Sequence, residues 1–88
     1  EAAIIEKLQV EFDRGRVLVD WQDVPGVTGY QAARWDDAAE KWIYVSRSLM
    51  QSECHDLLPV RKGTNTYRVR AIVGEAFGPW SNAVHINL

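Results

Sequence analysis

The sequence holds a single cysteine, Cys54, so it can form neither an internal disulfide framework nor a cysteine-rich metal site. It also lacks a long apolar run. The longest stretch free of Asp, Glu, Lys and Arg is 76–88, too short and too polar to insert into a membrane. No excess of positive charge exists: ten basic against twelve acidic residues leave a formal charge of −2. A nucleic-acid partner is therefore not expected. Glycosylation sequons are missing, because Asn65-Thr66-Tyr67 and Asn82-Ala83-Val84 both fail at the third position. Residues 1–7 have no basic region leading into an apolar core and are not a signal peptide. Without an initiating Met either, the chain is expected to be one domain, 1–88, of a longer multidomain protein.

What is present is a globular composition. Hydrophobic residues make up 47% and charged residues 25%, which excludes a disordered class. The dominant period is two. Leu8, Val10 and Phe12 alternate with polar neighbours, and after Arg14-Gly15-Arg16 so do Val17, Val19 and Trp21; each pattern predicts a strand with one buried face. Further strands are expected over 30–35, with Tyr30 and Ala32 on one face, over 42–46, 52–57 and 67–71, and over 83–88. The segment Asp36-Asp37-Ala38-Ala39-Glu40 has the spacing of a helix cap but is too short for a helix, and reads as a hairpin loop. Residues 74–79 read as a turn-rich connection. Seven short strands with frequent turns predict an all-β antiparallel sandwich.

Trp21, Tyr30, Leu57, Pro59, the run Tyr67-Arg68-Val69-Arg70-Ala71 and Gly78-Pro79-Trp80-Ser81, in this order over nearly the whole chain, together resemble a fibronectin type III domain. The resemblance implies an immunoglobulin-like sandwich of seven strands, A-B-E against C-C′-F-G. It implies a core containing Trp21, Tyr30, Leu57, Tyr67 and Val69. It also implies a tyrosine corner in which the Tyr67 hydroxyl bonds backbone near residues 57–59. The sequence departs from that pattern in a longer loop at 60–66, in the small Ala32, and in having no Arg-Gly-Asp; Arg14-Gly15-Arg16 lies in a different turn. Trp80-Ser81 is similar to half of the Trp-Ser-x-Trp-Ser box of cytokine receptors, but Ala83-Val84 replaces the second half.

No catalytic constellation is legible. There is no Gly-x-Ser-x-Gly, phosphate-binding loop or His-Glu-x-x-His. Cys54 and His55 are adjacent on one strand and point to opposite faces, so Cys54 is expected inside and His55 outside. His55 and His85 are expected in opposite sheets. The domain is expected to be no enzyme, with no cofactor and no metal site.

The aromatic residues are the informative feature. Trp35 and Trp42 flank a hairpin, Tyr44 shares a face with Trp42, Trp80 approaches the last strand, and Phe77 stands in a turn. These five are the candidate partner-binding residues. Alternatively, Trp35 and Trp42 pack locally against Arg34, Arg68 or Arg70. Two functions follow. The first is a structural spacer or protein-interaction module, with neighbouring domains or a protein as partner, as in adhesion proteins. The second is a polysaccharide-associated module of a secreted bacterial glycosidase that uses Trp35 and Trp42. The resemblance implies an extracellular or cell-surface location, although phage tails and intracellular muscle proteins carry such domains too.

Overall fold

Period-two alternation becomes two antiparallel sheets in the structure, a computed structural model that describes residues 3–57 and 61–88. In chain order the strands are β1 (Gln9–Asp13), β2 (Arg16–Asp20), β3 (Gly29–Asp36), β4 (Lys41–Leu49), β5 (Glu53–Asp56), β6 (Thr64–Val73), β7 (Ala76–Phe77) and β8 (Val84–Asn87). One sheet has the order β1-β2-β5. The other runs β4-β3-β6, with β7 and β8 both paired to β6. This is the expected A-B-E against C-C′-F-G arrangement, with one difference. The last strand is split, and residues 76–77, expected in a connection, form β7 against Ile72 and Val73. Pro79 has no N–H to offer a ladder, so pairing with β6 resumes as a regular strand only at Val84.

The inward positions of both sheets make the core. Val17 and Val19 of β2 face Tyr30 and Ala32 of β3 and Tyr67, Val69 and Ala71 of β6, all buried, with Ile5 added from the N-terminal segment. Trp21 is 6% exposed and meets the Tyr30 ring edge-on, with centroids 5.2 Å apart. The small Ala32 and Ala71 thus share one cluster with three large rings, which keeps the layer filled. Two expectations fail. Leu57 is 75% exposed, because β5 ends at Asp56 and carries the chain out of the sandwich. Phe12 is 52% exposed despite sharing the alternation of Val10. It lies near the end of β1, an edge strand with no further strand paired to it among the described residues.

Between the sheets sits a buried polar cluster. The Tyr67 hydroxyl donates to Asp56 Oδ2 at 2.6 Å, and Arg34 Nη1 lies 3.1 Å from the same oxygen. The tyrosine therefore bonds a carboxylate rather than the backbone expected from the resemblance. Pro59, named with that corner, lies outside the described residues. Burial, followed by the hydrogen bond to Asp56, pushes the Tyr67 phenol above its ordinary range.

The two ends of the described chain lie at opposite poles. Ala3 and Ile4 line a groove with Val24, Pro25, Gly26 and Val73, at the C-terminal end of β6. At the other end of β6, Leu88 and Gly63 exchange two backbone hydrogen bonds of 2.9 Å. Ten strand residues span about 30 Å, and the molecule measures 38 Å along its longest axis.

Candidate interaction face

The outward side of the larger sheet follows from its register. Ala33 pairs with Tyr44 and Trp35 with Trp42 across β3 and β4, while Ala33 pairs with Arg68 and Gln31 with Arg70 across β3 and β6. Residues 67, 69 and 71 point inward, so Arg68 and Arg70 project on the opposite face together with Trp42, Tyr44 and Trp35. Ala33, at the centre of that face, is nonetheless buried.

The split last strand completes the cover. The Gly78 amide bonds Ala71 O and the Ser81 amide bonds Val69 O, so three steps on this side match two on β6, as in a bulge. The Ser81 hydroxyl also accepts the Val69 amide at 3.0 Å. The extra residue lets Trp80 lie back over the sheet. Its ring takes the Arg68 guanidinium at 4.2 Å and that of Arg70 at 4.3 Å. Arg68 also lies 4.2 Å from the Trp42 ring, and Arg70 4.0 Å from the Phe77 ring. The result is a ladder of alternating rings and cations: Trp42, Arg68, Trp80, Arg70, Phe77.

Tyr44 joins the ladder from the side. Its ring is 6.5 Å from that of Trp80, its hydroxyl accepts from Arg70 Nη2 at 3.3 Å, and Arg47 lies over it at 4.1 Å. Gln31 Oε1 accepts from Arg70 Nε at 2.9 Å. Arg68 Nε is enclosed and meets no acceptor among the described residues. Burial, and then the charge of Arg70, pull the Arg68 guanidinium below its ordinary range.

Of the five aromatic residues expected on a binding face, four thus belong to one array: Trp42, Tyr44, Phe77 and Trp80. The fifth, Trp35, packs edge-on against Trp42, with centroids 5.6 Å apart and planes at 68°. Its Nε1–H donates to Asp37 Oδ1 at 2.6 Å. Of the expected packing of Trp35 and Trp42 onto arginine, the structure shows Arg68 over Trp42; Arg70 lies over Trp80 and Phe77 instead, and Arg34 turns inward to Asp56. Arg47 was missed by alternation, whereas Gln31 has the outward parity of Ala33 and Trp35 but was not singled out. Trp21, Tyr30, Tyr67 and Val69 are all inside the sandwich.

Among the described residues no three His, Cys, Asp or Glu side chains gather as metal ligands would. His55 and His85 stand on β5 and β8, in different sheets, and His55 Nε2 is 3.4 Å from Asp13 Oδ2. Cys54 is partly buried against the core, and burial, then Asp56 and Glu53, push its thiol up to about 12. Among the described residues no helix is long and apolar enough to cross a membrane.

No protein-family model matches the chain, and no curated protein matches it. Solved structures do. A fibronectin-III-like protein from Clostridium thermocellum superposes with a TM-score of 0.82 at 15% identity, covering 96% of this chain and 90% of that one. Consecutive domains from titin match with a TM-score of 0.80 at 16% identity, over 98% of this chain and 32% of that one. The alpha chain of the chicken interferon gamma receptor matches with a TM-score of 0.75 at 16% identity, over 99% and 44%. The chain has the fibronectin type III fold.

Proposed function

We propose that the domain is a non-catalytic spacer in a multidomain protein, and that its ladder face serves as a protein-interaction surface. The observation that carries the spacer reading is the polar placement of the ends: the chain enters beside Val73 and leaves beside Gly63, at opposite ends of β6. A rigid sandwich with that geometry holds its neighbours apart along the 38 Å axis. Tension along this axis pulls β1 along its ladder with β2 and β8 along its ladder with β6. All the ladder bonds of each pair then share the load instead of opening one at a time. Fold neighbours within titin and a receptor chain support a structural or interaction module. A sugar-stacking role needs a flat face, and the 68° between Trp35 and Trp42 does not provide one.

The test is single-molecule stretching of the domain held through its two ends between marker domains. The expected trace shows one abrupt, all-or-none opening. Featureless extension at low force overturns the spacer reading.

A further inference from the structure

Six of the seven arginines of this chain fall into two groups; the seventh, Arg16, stands on β2 in the other sheet. Arg14, Arg34 and Arg61 each have a carboxylate partner, in Asp13, Asp56 and Asp36. Arg47, Arg68 and Arg70 form no salt bridge among the described residues, and all three share the ladder face with Tyr44 and Trp80. A chain whose formal charge is −2 therefore carries a sheet face on which, among the described residues, none of three guanidinium groups is ion-paired to a carboxylate.

These cations are held rather than free to roam. Arg68 lies between Trp42 and Trp80, and Arg70 between Trp80 and Phe77. Gln31 and Tyr44 fix Arg70 further. A guanidinium packed on rings stays charged and keeps in-plane N–H donors that match a carboxylate two at a time. Because the side chains are already ordered, less entropy is lost when a ligand binds.

Spacing selects the ligand. Arg68 and Arg70 are two residues apart on one strand, hence about 6.6 Å apart along it. An extended peptide presents alternate side chains at the same repeat. We infer that this face binds an extended acidic segment of another polypeptide, its alternate carboxylates meeting Arg68 and Arg70, with Arg47 at the margin. The exposed parts of the Trp35 and Phe77 rings flank the track and suit apolar residues beside the acids. This assignment rests on the interaction half of the proposed function and is independent of the spacer half.

The test uses the whole domain and a short synthetic peptide with Glu at alternate positions, beside its Gln counterpart and a sulfated oligosaccharide. Backbone amide shifts are followed by NMR on the unaltered protein, so no variant has to fold for the first result. The Glu peptide is expected to shift amides of β6, β4 and Trp80, with affinity falling as salt rises, while the Gln peptide shifts none. Arg68→Gln and Arg70→Gln are each expected to weaken binding about tenfold, and Arg16→Gln, on the opposite sheet, to leave it unchanged. Equal binding of the Gln peptide, shifts centred elsewhere, no shifts at millimolar peptide, or binding of the sulfated oligosaccharide alone each overturns the assignment. Such a failure beside an abrupt stretching trace removes the acidic ligand and leaves the spacer standing.

Discussion

Tyr67 and Asp56 join the two sheets through one hydrogen bond of 2.6 Å, donated from β6 to a carboxylate at the end of β5. Both residues are fully buried, and Arg34 of β3 approaches the same oxygen. Tyr67→Phe removes the donor and leaves the ion pair, with an expected loss of about 1–3 kcal/mol in a denaturant titration. Asp56→Ala takes from Arg34 its carboxylate, and should cost more, about 3–5 kcal/mol. The double replacement Arg34→Met, Asp56→Leu is expected to recover only part of that loss, since an apolar pair needs no desolvation but the buried Tyr67 hydroxyl loses its acceptor. A double variant no more stable than Asp56→Ala alone contradicts this account.

Cys54 is expected to resist modification. With its thiol pushed up to about 12, almost none is thiolate at neutral pH, and the thiolate is the reacting form. Labelling by a thiol reagent at pH 8 should follow the rate of unfolding rather than the reagent concentration. The sign of the pH effect follows. An unfolded thiol ionises near 9.0 and the folded one near 12, so this contribution is fully present below pH 9 and disappears as pH rises towards 12. Cys54→Ala should flatten that part of the alkaline decline. An identical decline in both proteins contradicts it.

Gly78 is required by closeness rather than by backbone twist. A Cβ placed there would lie 2.5 Å from the carbonyl oxygen of Ala3, and backbone cannot yield as a flexible side chain does. Gly78→Ala should push the N-terminal segment outward and draw Ile5 from the core, at a cost of about 1–3 kcal/mol. Hydrogen exchange at residues 3–6 should rise with it. Unchanged stability removes the close approach.

Trp80 serves two cations at once. Trp80→Ala should cost at least about 1–2 kcal/mol through the lost contacts with Arg68 and Arg70, and Trp80→Phe distinctly less. Urea midpoints of the two variants, compared directly, check the order. Equal losses would mean that area alone, and not the ring over the guanidinium groups, holds the segment.

Native affinity gels check the sugar reading. With Arg68 over Trp42 and Trp35 edge-on to it, neutral polysaccharides are expected not to retard the domain. Retardation that vanishes in a Trp35→Ala, Trp42→Ala variant would overturn this expectation.

The sandwich was legible because period-two burial survives along β2 and β6, although β3, covered on both faces, is buried at six consecutive positions. β6 shows it in residues 65, 67, 69 and 71, all buried. The signal fails at margins. Phe12 and Leu57 look like core residues in sequence, but their exposure depends on where an edge strand ends and where β5 stops. The candidate face was legible in part for the same reason. Trp42, Tyr44, Arg68 and Arg70 keep simple alternation. Arg47 does not: counting by twos from Trp42 sends it inward, and only the irregular pairing around Val45 returns it to the outer side. Asp56 was hidden more deeply, because a carboxylate at the end of a short strand reads as a turn residue. Nothing local reveals that a tyrosine and an arginine from the other sheet close over it.

That irregular pairing has a second effect. β4 is a nine-residue outer strand, the kind of long open border on which foreign chains can zip and fibres can grow. Between Tyr30 and Ala33 its partners step from Leu49 to Ser46 to Tyr44, spending two residues beyond the regular count. The border is thereby broken into two short stretches with different pleats, neither a good template for a second copy. A second copy meeting this border finds no continuous, evenly pleated row of N–H and C=O groups to zip onto.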